Sequence, residues 1–129
     1  MIRKFTPATM TPPAANYSHV AEVPAGARTV FLAGQVGIAA DGSIPEDAGE
    51  QSALAFDNVV AGLAACDMTM ADAVRVSVYL TDLAHRGPYM AVRDRYVTDP
   101  PPASTLLIVA GLANPALKVE VEVIAAKVD

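Results

Sequence analysis

The sequence is poor in the residues on which several common functions depend. Cys66 is the only cysteine, so no disulfide can form within the chain, and a reducing compartment is expected. His19 and His85 are far apart in the sequence and lack the spacing of metal ligands, so no metal site is expected. The segment 34–37 has neither the Lys-Ser/Thr pair of a phosphate loop nor the spacing of a dinucleotide fingerprint, so no cofactor is expected.

Charge is also sparse, and most of it is negative. Asp and Glu number 14 against 9 Lys and Arg, which gives a net charge of −5, and the basic residues are scattered. Nucleic acid is therefore not an expected partner, because phosphate binding rests on clustered Lys and Arg. No apolar run approaches the ~20 residues that span a membrane, and the first residues lack the hydrophobic block of a secretory signal. We expect a cytoplasmic protein with no membrane partner.

Hydrophobic residues, by contrast, are plentiful, at 53% of the chain with a mean hydropathy of +0.34. A chain of 129 residues with this composition is predicted to fold as one domain, residues 1–129, whose core needs neither disulfides nor metal. Because few charges are available to cover the surface, apolar area should remain for a subunit interface. We therefore expect a homo-oligomer.

The hydrophobic periodicity predicts an α+β fold. Strands are predicted at 17–23, 29–38, 74–82, 104–109 and 117–128, and Pro7 confines any opening strand to about residues 1–6. Phe56, Val59 and Leu63 recur at helical spacing and predict a helix over about 46–65, and a second helix is predicted at about 85–97. Two strand–helix–strand units indicate a mixed sheet of about six strands with both helices on one face.

The last predicted strand carries an unusual group of charges. Glu120 and Glu122 fall on one face beside Lys118, while the residues between them are valines. One interpretation is a solvated face of an antiparallel sheet. The other is a cleft wall, where partial desolvation would make a glutamate a usable general acid or base.

Several segments, taken in order, resemble the Rid family (YjgF/YER057c/UK114). They are "NYSHVAEV", "VFLAGQVGIAADGSIP", "AFDNVVAGLAACDMTMADAVRVSVYLTDL", "YMAVRDRYVTDPPPAST" and "VEVEVIAA", and together they cover most of the chain. The resemblance implies a chorismate-mutase-like subunit. It also implies a homotrimer, in which three sheets pack into a barrel-like centre with the helices outside and leave clefts between subunits.

The best-known members of that family hydrolyse 2-imino or 2-enamino acids to 2-keto acids and ammonia without metal or cofactor. In that scheme an arginine directly after "PA" binds the substrate carboxylate, and a glutamate on the last strand handles the attacking water. A tyrosine near the N-terminus and a Gly-Gln turn shape the pocket. The resemblance therefore assigns Glu120 as the catalytic residue and Tyr17 and Gly34 as substrate-binding residues.

Two positions depart from the family pattern. Ser104 stands where the arginine is expected, and Arg93, in "VRDRY", stands where members that keep the arginine usually have asparagine. A buried charge pair is worth roughly 2–5 kcal/mol when one partner is truncated, which corresponds to a loss of about 30-fold to several thousandfold in binding. Activity on the standard 2-imino acids is therefore not expected.

Three interpretations remain. The favoured one is a small-molecule enzyme acting on another imine, enamine or related compound, with Glu120 handling water and Ser104 orienting a polar group. The second retains an anionic ligand, with Arg93 reaching the cleft as a substitute cation. The third is a non-catalytic ligand-binding or regulatory trimer, since a fold alone does not fix a function.

Overall fold

The computed structural model describes residues 1–129, which form two sheets and two α-helices. The strands are β1 (Arg3–Phe5), β2 (Val20–Glu22), β3 (Arg28–Phe31), β4 (Gln35–Val36), β5 (Ala73–Leu80), β6 (Ala103–Ile108) and β7 (Val119–Lys127). The helices are α1 (Ala48–Ala64) and α2 (Arg86–Tyr96), and short 3₁₀ helices at Met70–Asp72 and Leu83–His85 precede β5 and α2. No helix is both long and apolar enough to cross a membrane.

The larger sheet has five strands and is mixed, as the sequence predicts. Its order is β3-β7-β5-β6, and the short β4 also pairs with β7. Only the β5–β6 pairing is parallel, and every other pairing is antiparallel. β1 and β2 form a separate two-stranded sheet, so the large sheet has five strands where about six were expected.

The strand predicted at 29–38 is in fact two strands, β3 and β4. The backbone remains tied to β7 across the break, because Leu32 N donates to Val123 O at 3.0 Å. At Gly34 the side chain of Glu120 from β7 occupies the space that a Cβ would need. The interruption therefore accommodates a side chain from the neighbouring strand.

Both predicted helices are confirmed within two residues at each end. α1 begins after Asp47, whose carboxylate accepts from Glu50 N at 3.1 Å and so satisfies one of the free backbone donors of the first turn. α2 ends at Tyr96, and Val97 is already extended. The prolines that follow at 100–102 cannot continue a helix.

The alternation predicted for β5 and β7 separates the two faces of the sheet. Buried residues on the face toward the helices form the core, and each contributes roughly 1.5–3 kcal/mol by leaving water. They are Val76, Val78 and Leu80 of β5, Val119, Val121 and Val123 of β7, Phe56, Val59 and Leu63 of α1, and Tyr89 and Val92 of α2. The register pairs Tyr79 with Glu120, so both lie on the opposite face, which no helix covers.

The N-terminal segment is attached to the beginning of β6. Ser18 N donates to Pro102 O at 3.0 Å, and Ser18 Oγ donates to Pro101 O at 2.7 Å. Ser18 also forms an isolated parallel bridge with Ala103. These contacts hold the neighbouring Tyr17 near Ser104, the second residue of β6.

Candidate functional site

A cavity of about 420 Å³ lies between α2, the beginning of β6 and the N-terminal segment; we call it the α2–β6 cavity. Ser104 and Leu106 face it because their register partners on β5, Val76 and Val78, point toward the helices. The remaining lining residues are Ala14, Ala15 and Tyr17 of the N-terminal segment and Arg86, Met90 and Arg93 of α2. The structure therefore brings together three of the residues singled out in the sequence, which are Tyr17, Arg93 and Ser104.

Arg93 is nearly buried in the wall of this cavity. Its side chain is 6% exposed, whereas that of its ion-pair partner Asp94 is 53% exposed. Arg93 Nε and Nη2 both donate to Asp94 Oδ1, at 3.2 and 3.0 Å. These bonds use two of the five guanidinium donors. The Tyr89 hydroxyl is the only sealed side-chain polar atom without a partner, so Arg93 Nη1, which has no partner, is open to accessible space.

Tyr17 is held in place by its own segment. Its ring meets that of His19 edge to face, with the centroids 5.4 Å apart. A nitrogen of His19, Nε2, is in turn 2.8 Å from Thr11 O. Tyr17 therefore lines the cavity from the N-terminal segment, where His19 and the Ser18 contacts with the start of β6 hold it in place.

The catalytic candidate Glu120 lies elsewhere, beside Gly34. A Cβ at position 34 would overlap Glu120 Oε2, so only glycine leaves the carboxylate where it is. Glu120 is half-buried, and its carboxylate forms no hydrogen bond or ion pair with any other group of the chain. An ionised carboxylate of this kind has its acceptor positions available for water or for a ligand.

The neighbouring glutamate, Glu122, is already engaged. Tyr79 Oη donates to Glu122 Oε1 at 2.9 Å, and this hydrogen bond to a carboxylate raises the pKa of the Tyr79 hydroxyl. Both residues line, with Glu120, an open cavity of about 320 Å³ on the face that the helices leave uncovered. Of the two glutamates that alternation places on this face, Glu120 is therefore the one free to act on a ligand.

The two groups of residues lie on opposite faces of the large sheet. On β5, Val76 is the register partner of Ser104 and Tyr79 is the register partner of Glu120. Ser104 and Glu120 are therefore three residues apart along the strand direction and two strands apart across the sheet. With strand spacings of about 4.8 Å and a rise of about 3.3 Å per residue, this is roughly 14 Å between Cα atoms. One subunit therefore does not present Ser104 and Glu120 to the same small molecule.

Sequence reasoning missed Arg86, Met90 and Leu106. The first two had a detectable signal, since residues 86, 90 and 93 follow i, i+4, i+7 spacing and so lie on one face of α2. Leu106 alternates with Ser104 along β6 and shares its face. No three His, Cys, Asp or Glu side chains lie close enough together to hold a metal ion.

Comparison with known proteins supplies the family. Residues 8–127 match the family model described as endoribonuclease L-PSP. The protein DfrA from Myxococcus xanthus is 34% identical to this chain over 128 residues, which is 97% of this chain and 96% of that protein. The protein HMF1 from Saccharomyces cerevisiae is 28% identical over 90% of this chain and 88% of its own length.

Solved structures agree with the sequence match. The fold superposes with a TM-score of 0.87 on a Rid-family protein of unknown function from Yersinia pestis, at 30% identity and with 98% of each chain covered. It superposes with a TM-score of 0.72 on RidA from an Antarctic Psychrobacter, at 26% identity and with 95% and 98% of the chains covered. A family model that spans nearly the whole sequence and a fold shared over nearly the whole structure lead to one conclusion: the chain belongs to the Rid (YjgF/YER057c/UK114) family.

Proposed function

We propose that this protein is a Rid-type enzyme that hydrolyses an imine, enamine or related small molecule to a carbonyl compound and ammonia. The observation that carries the proposal is the unpaired Glu120 carboxylate, which lies over Gly34 on β7. Charged residues are few in this chain, and the Glu120 carboxylate is a charged group with no structural partner. Such a group suits a water-handling general base.

The chemistry requires only one proton-accepting group and water. Glu120 accepts a proton from water as the water oxygen bonds to the imine carbon. That proton is delivered to the nitrogen, which gives a neutral carbinolamine, and Glu120 then moves the hydroxyl proton of the carbinolamine to the same nitrogen. The C–N bond breaks, a C=O bond forms and ammonia leaves, so that one imine and one water give one carbonyl compound and one ammonia.

The same proposal places the site between subunits of a homotrimer. Because Glu120 and the α2–β6 cavity lie on opposite faces of one sheet, a ligand that contacts both needs two copies of the chain. Phe31 and Leu107 support such an assembly. They lie on the face without helices, by register with Ile124 and Tyr79, and are 74% and 51% exposed. Apolar side chains of this size on an uncovered sheet are typical of a subunit interface.

The substrate is expected to differ from the standard 2-imino acids. Ser104 presents a single neutral hydroxyl from β6 where the resemblance expects an arginine, and a hydroxyl cannot form the bidentate charge-assisted contact of a guanidinium. Ammonia release from 2-iminobutanoate is therefore expected to be slow.

The decisive experiment compares two glutamate variants on the same strand. Purified protein is screened for ammonia release from small imines and enamines, including 2-iminobutanoate formed in situ and the neutral enamine ethyl 3-aminocrotonate. With the best substrate, Glu120→Gln should lower kcat by about 100-fold or more, the usual contribution of a general base. Glu122→Gln is the matched control, because it loses only the Tyr79 contact, and it should retain turnover.

Equal melting temperatures would show that both variants fold normally. If Glu120→Gln then turns over substrate at the rate of the unmodified protein, the proposed role of Glu120 is wrong.

The alternative is a non-catalytic ligand-binding or regulatory trimer. The presence of Ser104 where the resemblance expects arginine favours this alternative, because it changes the binding cavity and leaves no cationic side chain on β6. This alternative predicts ligand binding in the α2–β6 cavity with no ammonia release from any compound of the panel.

A further inference from the structure

We propose that Arg93, with Arg86 and Ser104, binds a substrate carboxylate in the α2–β6 cavity, and that this carboxylate is separated from the reacting carbon by at least one more carbon than in a 2-imino acid. The inference rests on the proposed function for the reacting carbon, but the carboxylate site itself requires only the cavity. It assigns two binding residues on α2 and a substrate class.

The position of Arg93 is difficult to explain as structural. Withdrawing a guanidinium from water is costly unless its donors are satisfied. The only partner of Arg93 is the adjacent Asp94, which stays largely in solvent and accepts two donors through one oxygen. A planar cation with free N–H donors facing a cavity is the arrangement that binds a carboxylate in bidentate fashion.

The surrounding groups favour a single negative charge. Arg86 lies on the same face of α2 as Arg93 and also lines the cavity, and no acidic residue does. Asp94 neutralises one of the two cations. The cavity therefore has a net charge of about one positive unit, which matches a monocarboxylate, and the Ser104 hydroxyl adds a neutral donor from the opposite wall.

The side from which the cation comes determines where the carboxylate lies. An arginine at position 104 would extend from β6 across the cavity, toward its centre. The guanidinium of Arg93 instead approaches from α2, and its bonds to Asp94 hold it against that wall. A carboxylate bound to Arg93 is thus displaced toward α2. To reach the same reacting position, the ligand needs additional carbon atoms between its carboxylate and its imine carbon.

Two isomeric keto acids test the claim directly. Both 2-oxobutanoate and 3-oxobutanoate carry one carboxylate and the same atoms, and they differ only in the spacing of the carbonyl. Isothermal titration calorimetry should show 3-oxobutanoate binding at least tenfold more tightly than 2-oxobutanoate. The neutral methyl ester of 3-oxobutanoate should bind at least tenfold more weakly than its acid.

Variants identify the cation. Arg93→Gln should weaken 3-oxobutanoate binding by about 30-fold or more and leave the affinity for the methyl ester unchanged. Arg95→Gln is the matched control, because Arg95 is on the same helix but is exposed and does not line the cavity. If Arg93→Gln is poorly folded, Ser104→Asp provides the test with Arg93 intact, because the new carboxylate should repel 3-oxobutanoate by a similar factor.

The proposal is overturned if folded Arg93→Gln binds 3-oxobutanoate as the unmodified protein does, or if the two keto acids bind equally. The two proposals fail separately, because binding of 3-oxobutanoate is measured without catalysis and ammonia release is measured on the imine and enamine panel. Binding as described, with no hydrolysis of any imine or enamine, would support the carboxylate site and reject the enzymatic proposal.

Discussion

At the scale of the residue, an arginine and a serine face one cavity from different elements. Arg93 comes from α2 and Ser104 from β6, and both line the α2–β6 cavity. By the resemblance, a typical member has asparagine at the first position and arginine at the second. The cation therefore stands on the opposite wall in this chain, and reversing both residues should return it to β6.

This exchange makes a gain-of-function prediction. The double variant Arg93→Asn, Ser104→Arg should hydrolyse 2-iminobutanoate at least 30-fold faster than the unmodified protein, measured as kcat/KM for ammonia release, because a charge-assisted contact to the carboxylate is regained. Ser104→Arg alone is the control and should gain less, because three guanidinium groups, including those of Arg86 and Arg93, would then share the cavity. A folded double variant with no increase would count against the exchange.

The family pattern and helical spacing identify these cavity residues, but the direction of a side chain depends on tertiary packing. Tyr17, Arg93 and Ser104 were identified from the family pattern alone, and the structure brings them together. Arg93 sits four residues after the buried Tyr89, so helical spacing already placed it near the inner face of α2. Whether a long arginine there turns into a cavity or out to solvent is decided by the packing of α2 on β6, which no local pattern encodes.

At the scale of the element, the glycines on either side of β4, Gly34 and Gly37, have very different neighbours. The Cβ position of Gly34 meets only the end of the Glu120 side chain, which can rotate away. That of Gly37 meets the backbone of Gln51 in α1. Gln51 cannot move freely, because its side chain donates to Pro45 O and Ala116 O and accepts from Lys118 N.

The contrast predicts opposite outcomes for two alanine substitutions. Gly37→Ala should lower the free energy of unfolding by about 1–3 kcal/mol, since overpacking forces α1 away from the sheet. Gly34→Ala should change it by less than about 1 kcal/mol and yet reduce turnover, since it displaces the Glu120 carboxylate. Urea unfolding midpoints, together with ammonia release, separate the two effects. A Gly34→Ala variant with full activity would show that the position of Glu120 is unimportant.

The elements themselves were largely predictable. Both helices and the long strands β5 and β7 have clear periodicity, and the structure confirms them. The predicted strands differ from the observed ones where strand pairing decides which sheet a segment joins or where a strand is interrupted. Pro7 confined β1 correctly, but nothing local shows that β1 pairs with β2 in a sheet of its own. The division of 29–38 depends on a side chain from β7, more than 80 residues later in the chain.

At the scale of the whole molecule, the sheet separates the two groups of functional residues. If each active cleft takes Arg93 from one subunit and Glu120 from its neighbour, variants with different defects should complement each other. Arg93→Gln and Glu120→Gln should each be nearly inactive alone. Co-expression should form mixed trimers that recover about a quarter of the activity. When the two variants assemble at random, on average about one cleft in four contains both an intact Arg93 and an intact Glu120.

Ammonia release from the co-expressed protein, compared with a mixture of the separately purified variants, gives the measurement. No recovery in verified mixed trimers would mean that the two groups act within one subunit, against the proposed arrangement.

One further consequence follows from the position of β6 at the end of the sheet order. Its outer edge is bridged at a single point, by Ser18 to Ala103, and the following residues of the strand have no strand partner on that side. An open strand edge invites pairing with other chains and so promotes aggregation. The N-terminal segment that carries Tyr17 to the cavity thus also covers the start of this edge, and removing the segment should lower solubility as well as ligand affinity.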